Sequence, residues 1–227
     1  VSATTGPLRL VVVGAGAASL KSTVALNLAV AAAAGGTATA LRDLDGASSR
    51  ALARAAGDGA AVALPWAAAP LTVHAQTDVV GVETSLVVVD APPRLDDAVR
   101  AELARAALVL VPVDASPVAR RALAEVAAWI AARPAPPVLR VALARGLPRA
   151  ADRWALLEEI EALAPGAMLP TTLPAGRAPA TGGRERVARL YAPGTRAAAA
   201  YAALLRAMGV AIPAAGDAGL SVPSTTP

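Results

Sequence analysis

Three stretches of this chain are aliphatic almost without interruption: LRLVVV at residues 8–13, SLVVV at 85–89 and LVLVPV at 108–113. A strand that alternates polar and apolar residues can leave one face in water, but a continuous aliphatic run needs cover on both faces. Helical patterns lie between these runs. The first spans 22–34 and ends at Gly35-Gly36 in the manner of a C-cap; another spans 47–56, before a Gly57-Asp58-Gly59 turn. Further helices are expected over 95–107, from the Ser116 N-cap and Pro117 to about residue 132, and over 150–163, 184–191 and 195–208. Additional strands are expected at 37–41, 138–144 and 168–173, with short candidates at 61–64 and 71–75 around a Pro-bounded turn. Strands alternating with helices at this spacing predict an α/β fold, a mostly parallel β-sheet with helices on both faces.

The 227 residues suffice for one well-buried α/β domain, expected over 1–211. Residues 212–227, rich in Pro, Ala, Gly, Ser and Thr, read as a disordered tail. The chain is 56% hydrophobic and has no Phe, so the core is expected to be built from Val, Leu and Ala. Cysteine is absent, which excludes disulfides and thiolate metal sites. The longest apolar run, 22–41, is broken by Asn27, Gly35-Gly36 and threonines, so no transmembrane helix is expected. Residues 1–7 lack the basic start of a signal peptide, and a cytoplasmic protein is the default.

VVVGAGAASLKST, residues 11–23, supports two functional readings. Its left half is close to the G-x-G-x-x-G turn of dinucleotide-binding folds, and its right half ends like a phosphate-binding P-loop, G-x-x-x-x-G-K-[ST]. The dinucleotide reading leaves Lys21-Ser22-Thr23 and Asp90-Ala91-Pro92-Pro93 unexplained, places Asp43 late for a ribose contact, and has Ser19 at the third glycine. The P-loop reading accounts for both segments, because an apolar strand ending in Asp is a Walker B element whose carboxylate holds the Mg²⁺ shell. Asp43-Leu44-Asp45 supplies a further carboxylate where a P-loop hydrolase positions water. The basic residues point the same way. Of 21 Lys plus Arg, 20 are arginine, and the single lysine is Lys21. A compact ammonium fits between phosphates where a planar guanidinium fits poorly.

Lys21-Ser22-Thr23-Val24-Ala25-Leu26-Asn27-Leu28-Ala29, Leu44-Asp45-Gly46, Ser85 to Pro93, Leu108 to Pro117 and Tyr191-Ala192-Pro193-Gly194-Thr195 leading to Ala200-Tyr201 occur in the order seen in one family. On these segments the chain resembles the ParA/MinD family of deviant-Walker-A ATPases, which position plasmids, chromosomes, division sites and other cargo. The resemblance implies bound ATP and Mg²⁺. Lys21 would contact the β- and γ-phosphates within a loop of Gly16, Ala17, Ala18, Ser19, Leu20, Lys21, Ser22 and Thr23. Ser22 and Asp90 would hold Mg²⁺, Asp45 would orient the attacking water, and Asp43 would support the turn beside it. It also implies a homodimer, nucleotide-gated in many members, and a ParB-like or adaptor protein partner.

The loop departs from the family's K-G-G-x-G-K-[ST]. Gly16 stands where the signature lysine reaches the partner's phosphates, and Ala17, Ala18 and Leu20 stand at the three glycines. A side chain forced to positive φ costs on the order of 1 kcal/mol or more, and on the family's pattern the bulk of Leu20 would lie beside the phosphates. Two outcomes follow: a weak nucleotide site with slow hydrolysis, or a non-hydrolysing adaptor on the same fold. A P-loop synthetase or kinase-like relative is a third, weaker reading, because no residue cluster marks its second substrate. Arg42 stands where the family has an aliphatic residue. It is expected either to pair with Asp43 or a neighbouring acid, or to point into the nucleotide site in place of the missing lysine.

The net charge is +4, and residues 165–210 carry six arginines against one acid, Glu185. With Arg145 and Arg149, the arginines Arg177, Arg184, Arg186 and Arg189 form a candidate surface for non-specific DNA, which would place the protein on the nucleoid. Such a surface equally fits a solvated, arginine-rich exterior. The tail has no basic amphipathic face, so no membrane partner is expected. Trp66, Trp129 and Trp154 are expected to pack, and His74 to be a surface or core residue rather than a catalyst.

Overall fold

The computed structural model describes residues 6–14, 21–45, 59, 61–62, 64, 66–74, 83–143, 150–173 and 195–212. The expected helices at 47–56 and 184–191 and nearly all of the tail lie outside them. In chain order the elements are β1 Leu8–Val12, α1 Lys21–Ala34, β2 Thr39–Asp43, β3 Ala61–Val62, β4 Leu71–His74, β5 Leu86–Asp90, α2 Asp97–Arg105, β6 Leu108–Val113, α3 Pro117–Ala131, β7 Val138–Leu143, α4 Ala150–Leu163 and α5 Arg196–Ala207. Among the described residues the strands form one seven-stranded sheet in the order β3-β4-β2-β5-β1-β6-β7. All pairings are parallel except β3 with β4.

The aliphatic runs do what their composition requires. Leu10, Val12, Leu86 and Val88 face one core with α1 and α5, while Val11, Val87, Val89, Val109 and Val111 face a second core with α2, α3 and α4. Each fully buried Val or Leu contributes about 1.5–3 kcal/mol, so covering both faces is the main source of stability. α1 is buried over most of its circumference, from Val24 to Ala33, as an apolar helix between a sheet and a second helix must be. Gly35-Gly36 ends it as expected. Gly36 has φ 88°, and Thr37 N–H donates to the Ala32 carbonyl at 3.0 Å. A Cβ on Gly35 would lie 1.9 Å from the Ile212 side chain, so glycine there lets the end of the described chain close over α1.

The other helix starts follow their capping residues. Ser116 Oγ accepts from Ala119 N–H at 3.2 Å ahead of Pro117, and Thr195 Oγ1 accepts from Ala198 N–H at 3.2 Å. Asp96 caps α2 by accepting from Val99 N–H at 3.1 Å. The expected strand at 168–173 is reduced to a single bridge between Met168 and Val141. Pro170 has no N–H to continue a ladder. The segment still borders β7: Leu169 N–H donates to Val141 O and Leu173 N–H to Leu143 O, both at 2.8 Å. β2 ends later than expected, because Arg42 and Asp43 belong to the sheet.

Candidate nucleotide site

Neighbouring strands β1 and β5 send their chains to opposite faces. β1 leads into α1 on one side and β5 into α2 on the other. The carboxyl ends of strands that diverge in this way are where open α/β sheets bind ligands. The N-terminus of α1 lies there, and the first N–H groups and the dipole of a helix favour an anion at that end.

Lys21 is the first residue of α1 and only 3% exposed. Its ammonium forms an ion pair with Asp45 Oδ2 and lies 3.9 Å from Asp90 Oδ1. The Ser22 hydroxyl is 3.5 Å from the same Asp45 oxygen. Asp43 and Asp90 are paired neighbours at the ends of β2 and β5, and both are buried. Leu44 N–H donates to the Asp90 backbone carbonyl at 3.0 Å, tying the Asp43–Asp45 turn to β5. Thr23 follows on the first turn of α1 and is half-buried. The structure thus brings together Lys21, Ser22, Asp45 and Asp90, with Asp43 alongside. Gly16, Ala17, Ala18, Ser19 and Leu20 lie outside the described residues, as do Arg145, Arg149, Arg177, Arg184, Arg186 and Arg189.

Among the described residues, no group of three or more His, Asp or Glu is arranged to hold a metal ion by itself. Mg²⁺ is held by one or two protein groups, substrate phosphates and water rather than by an all-protein cage. One hydroxyl, Ser22, and one buried carboxylate, Asp90, match this pattern.

Arg42 does not enter the site. Leu41 faces the α1 core, so Asp43 projects to that face and Arg42 to the opposite one. There its Nη1 donates to Glu102 Oε1. Glu102, in α2 and 2% exposed, also accepts from Arg105 on the same oxygen and from Arg9 Nη1 at 2.8 Å on the other. The expectation that Arg42 replaces the missing lysine is corrected; of the two alternatives, pairing with an acid holds. Glu102 was not singled out from the sequence, yet it carries a signal: it sits with Val99 and Leu103 at the i, i+3, i+4 spacing of a buried face.

Three further side chains are placed. His74 is buried, with Nε2 3.0 Å from the Thr72 hydroxyl, and so is a core residue. Trp66 and Trp129 pack against the two cores, and Arg133 lies 3.9 Å above the Trp129 ring. Trp154 is 67% exposed, against expectation; α4 turns Leu156 and Ile160 inward, and a residue two positions before Leu156 falls on the far side of the helix. On the α1 side, burial pushes the Tyr201 phenol up, opposed by a hydrogen bond from the Asn27 side chain.

No protein-family model matches this chain, and no curated protein sequence does. Solved structures do match. A Cyanothece McdA variant in complex with ATP superposes with TM-score 0.66 at 14% identity, covering 90% of this chain and 97% of that one. The MinC:MinD cell division complex of Aquifex aeolicus gives 0.61 at 17% identity, covering 91% and 98%. A ParA family ATPase from Chlorobium tepidum gives 0.61 at 14% identity, covering 90% and 99%. No helix among the described residues is long and apolar enough to cross a membrane. With its strand order, its two covered faces and these matches over nearly the full length, the chain has the fold of the ParA and MinD ATPases.

Proposed function

We propose that this chain, with residues 1–211 as one domain, is a ParA-like nucleotide-dependent switch for DNA partition or cargo positioning. The observation that carries the reading is Lys21. The only lysine in the sequence is buried at the start of α1, against Asp45 and near Asp90. A surface lysine kept by chance would not be placed there. In this reading Lys21 binds the β- and γ-phosphates at the helix N-terminus, and Gly16 to Leu20 and Thr23 complete the loop. Ser22 and Asp90 hold Mg²⁺, which supplies charge neutralisation between the phosphates when bound. Asp45 accepts a hydrogen bond from the attacking water, and Asp43 supports the turn that presents it. Hydrolysis is slow, because Gly16 replaces the lysine that would add positive charge across a homodimer; such groups are worth orders of magnitude in phosphoryl transfer.

A second reading, a non-hydrolysing adaptor on the same fold, is favoured by one specific observation. Ala17, Ala18 and Leu20 stand at the glycine positions, where a Cβ obstructs N–H approach to phosphate. In both readings the partner is a ParB-like or adaptor protein. In the first, Arg145, Arg149, Arg177, Arg184, Arg186 and Arg189 bind DNA phosphates without sequence preference, on the nucleoid of a cytoplasm. Retention on a DNA column, measured with and without Mg-ATP over a salt series, separates the two. The switch is retained only with Mg-ATP and elutes as a dimer. Equal retention in both conditions contradicts the switch and supports the adaptor.

A further inference from the structure

The end of α1 that attracts an anion already holds one from the chain itself. Asp45 reaches Lys21 through its Oδ2, and the same oxygen lies 3.5 Å from the Ser22 hydroxyl. Those are the two side chains to which the reading above assigns phosphate and metal. Lys21 is buried, so its ammonium has lost most of its water and depends on these carboxylates for compensation. Asp45 is partly exposed and lies beyond the end of β2, next to Leu44, whose N–H meets the Asp90 carbonyl. Asp90, buried on β5 and 3.9 Å from the ammonium, is held by the sheet. Of the two acids, Asp45 is therefore the one that can leave.

We propose that Asp45 is an internal stand-in for the nucleotide's phosphate, an autoinhibitory latch on Lys21 that a nucleotide must displace in order to bind. The proposal rests on the nucleotide reading above and deepens it. Displacement frees the carboxylate to meet a water, so phosphate arrival and release of the water-orienting group become one event. In the empty state the pair also lowers the site's appetite for stray anions, since the positive end of α1 is already neutralised.

The test is ADP affinity, measured calorimetrically for the wild-type chain, Asp45→Asn and Asp45→Ala. ADP is chosen because none of the three proteins turns it over, whereas ATP would be hydrolysed by the wild type and not by variants lacking the water-orienting carboxylate. The latch predicts ADP binding at least tenfold tighter in both variants. A second readout uses the lone lysine: with ¹³Cε-labelled lysine, the residue-21 ε-methylene resonance shifts in Asp45→Asn without nucleotide. Saturation of the wild type with ADP removes the same contact and also shifts it. Wild-type binding with equal or weaker affinity in both variants overturns the latch and leaves the nucleotide reading standing. No ADP binding by any of the three folded proteins at millimolar concentration overturns both.

Discussion

Glu102 collects three guanidinium groups on one buried carboxylate, and that stoichiometry makes the cluster's response to mutation lopsided. Glu102→Gln keeps the shape and one acceptor oxygen but removes the negative charge that the three guanidinium groups share. Arg105 is half-exposed and loses little. Arg9 and Arg42 are mostly buried, and each loses a charge-assisted bond while its charge remains. Hydrogen bonds to charged groups are worth about 1.5–3 kcal/mol, and two mostly buried ones are weakened, so Glu102→Gln should destabilise by about 3 kcal/mol. Arg42→Leu is a different case. Glu102 retains Arg9 and Arg105, and the leucine meets Ala40, Val87 and Val89 on the same face, so the cost should stay within about 1 kcal/mol. Urea unfolding reads both values from midpoints at constant m. If Arg42→Leu costs as much as Glu102→Gln, the assignment of Glu102 as the shared counter-charge is wrong.

Leu20→Gly restores the last loop glycine and should tighten Mg-ATP binding at least fivefold in calorimetry; unchanged affinity would mean that this position does not limit the loop. Tyr201→Phe should cost about 1 kcal/mol at neutral pH by removing the partner of Asn27. Because burial raises the folded phenol, its contribution is fully present below the unfolded tyrosine value of about 10 and is lost as pH rises towards the folded value. The stability gap between wild type and Tyr201→Phe should therefore narrow above that pH in denaturant titrations, and a constant gap would refute the assignment. Ser116→Ala removes an N-cap from α3 and should cost about 1 kcal/mol in the same assay.

The sequence is most legible where one physical demand acts alone. Val11–Val13, Val87–Val89 and Val109–Val111 needed cover on both faces, and that alone predicted the layered sheet. Gly35-Gly36 and Ser116-Pro117 marked helix ends because few other residues adopt those conformations or bonds. Lys21 stood out because arginine had taken every other basic position. Legibility fails where two demands compete. Arg42-Asp43 looked like the end of a strand because both are charged, and Glu102, the acid that pairs with the half-buried arginine in β2, lies sixty residues later in the chain. Met168–Leu173 has strand composition, but Pro170 limits it to a bordering segment. Trp154 is large and apolar by type, yet its place on α4 relative to Leu156 decides its exposure.

The central claim is that Lys21 marks a working phosphate site at the N-terminus of α1. Calorimetric titration of Mg-ATP into the wild-type chain and into Lys21→Ala tests it most directly. The account predicts saturable binding, at micromolar to sub-millimolar concentration, that disappears in Lys21→Ala while the fold, checked by circular dichroism, is kept. Absence of wild-type binding at millimolar Mg-ATP, or binding that survives in Lys21→Ala, would contradict it.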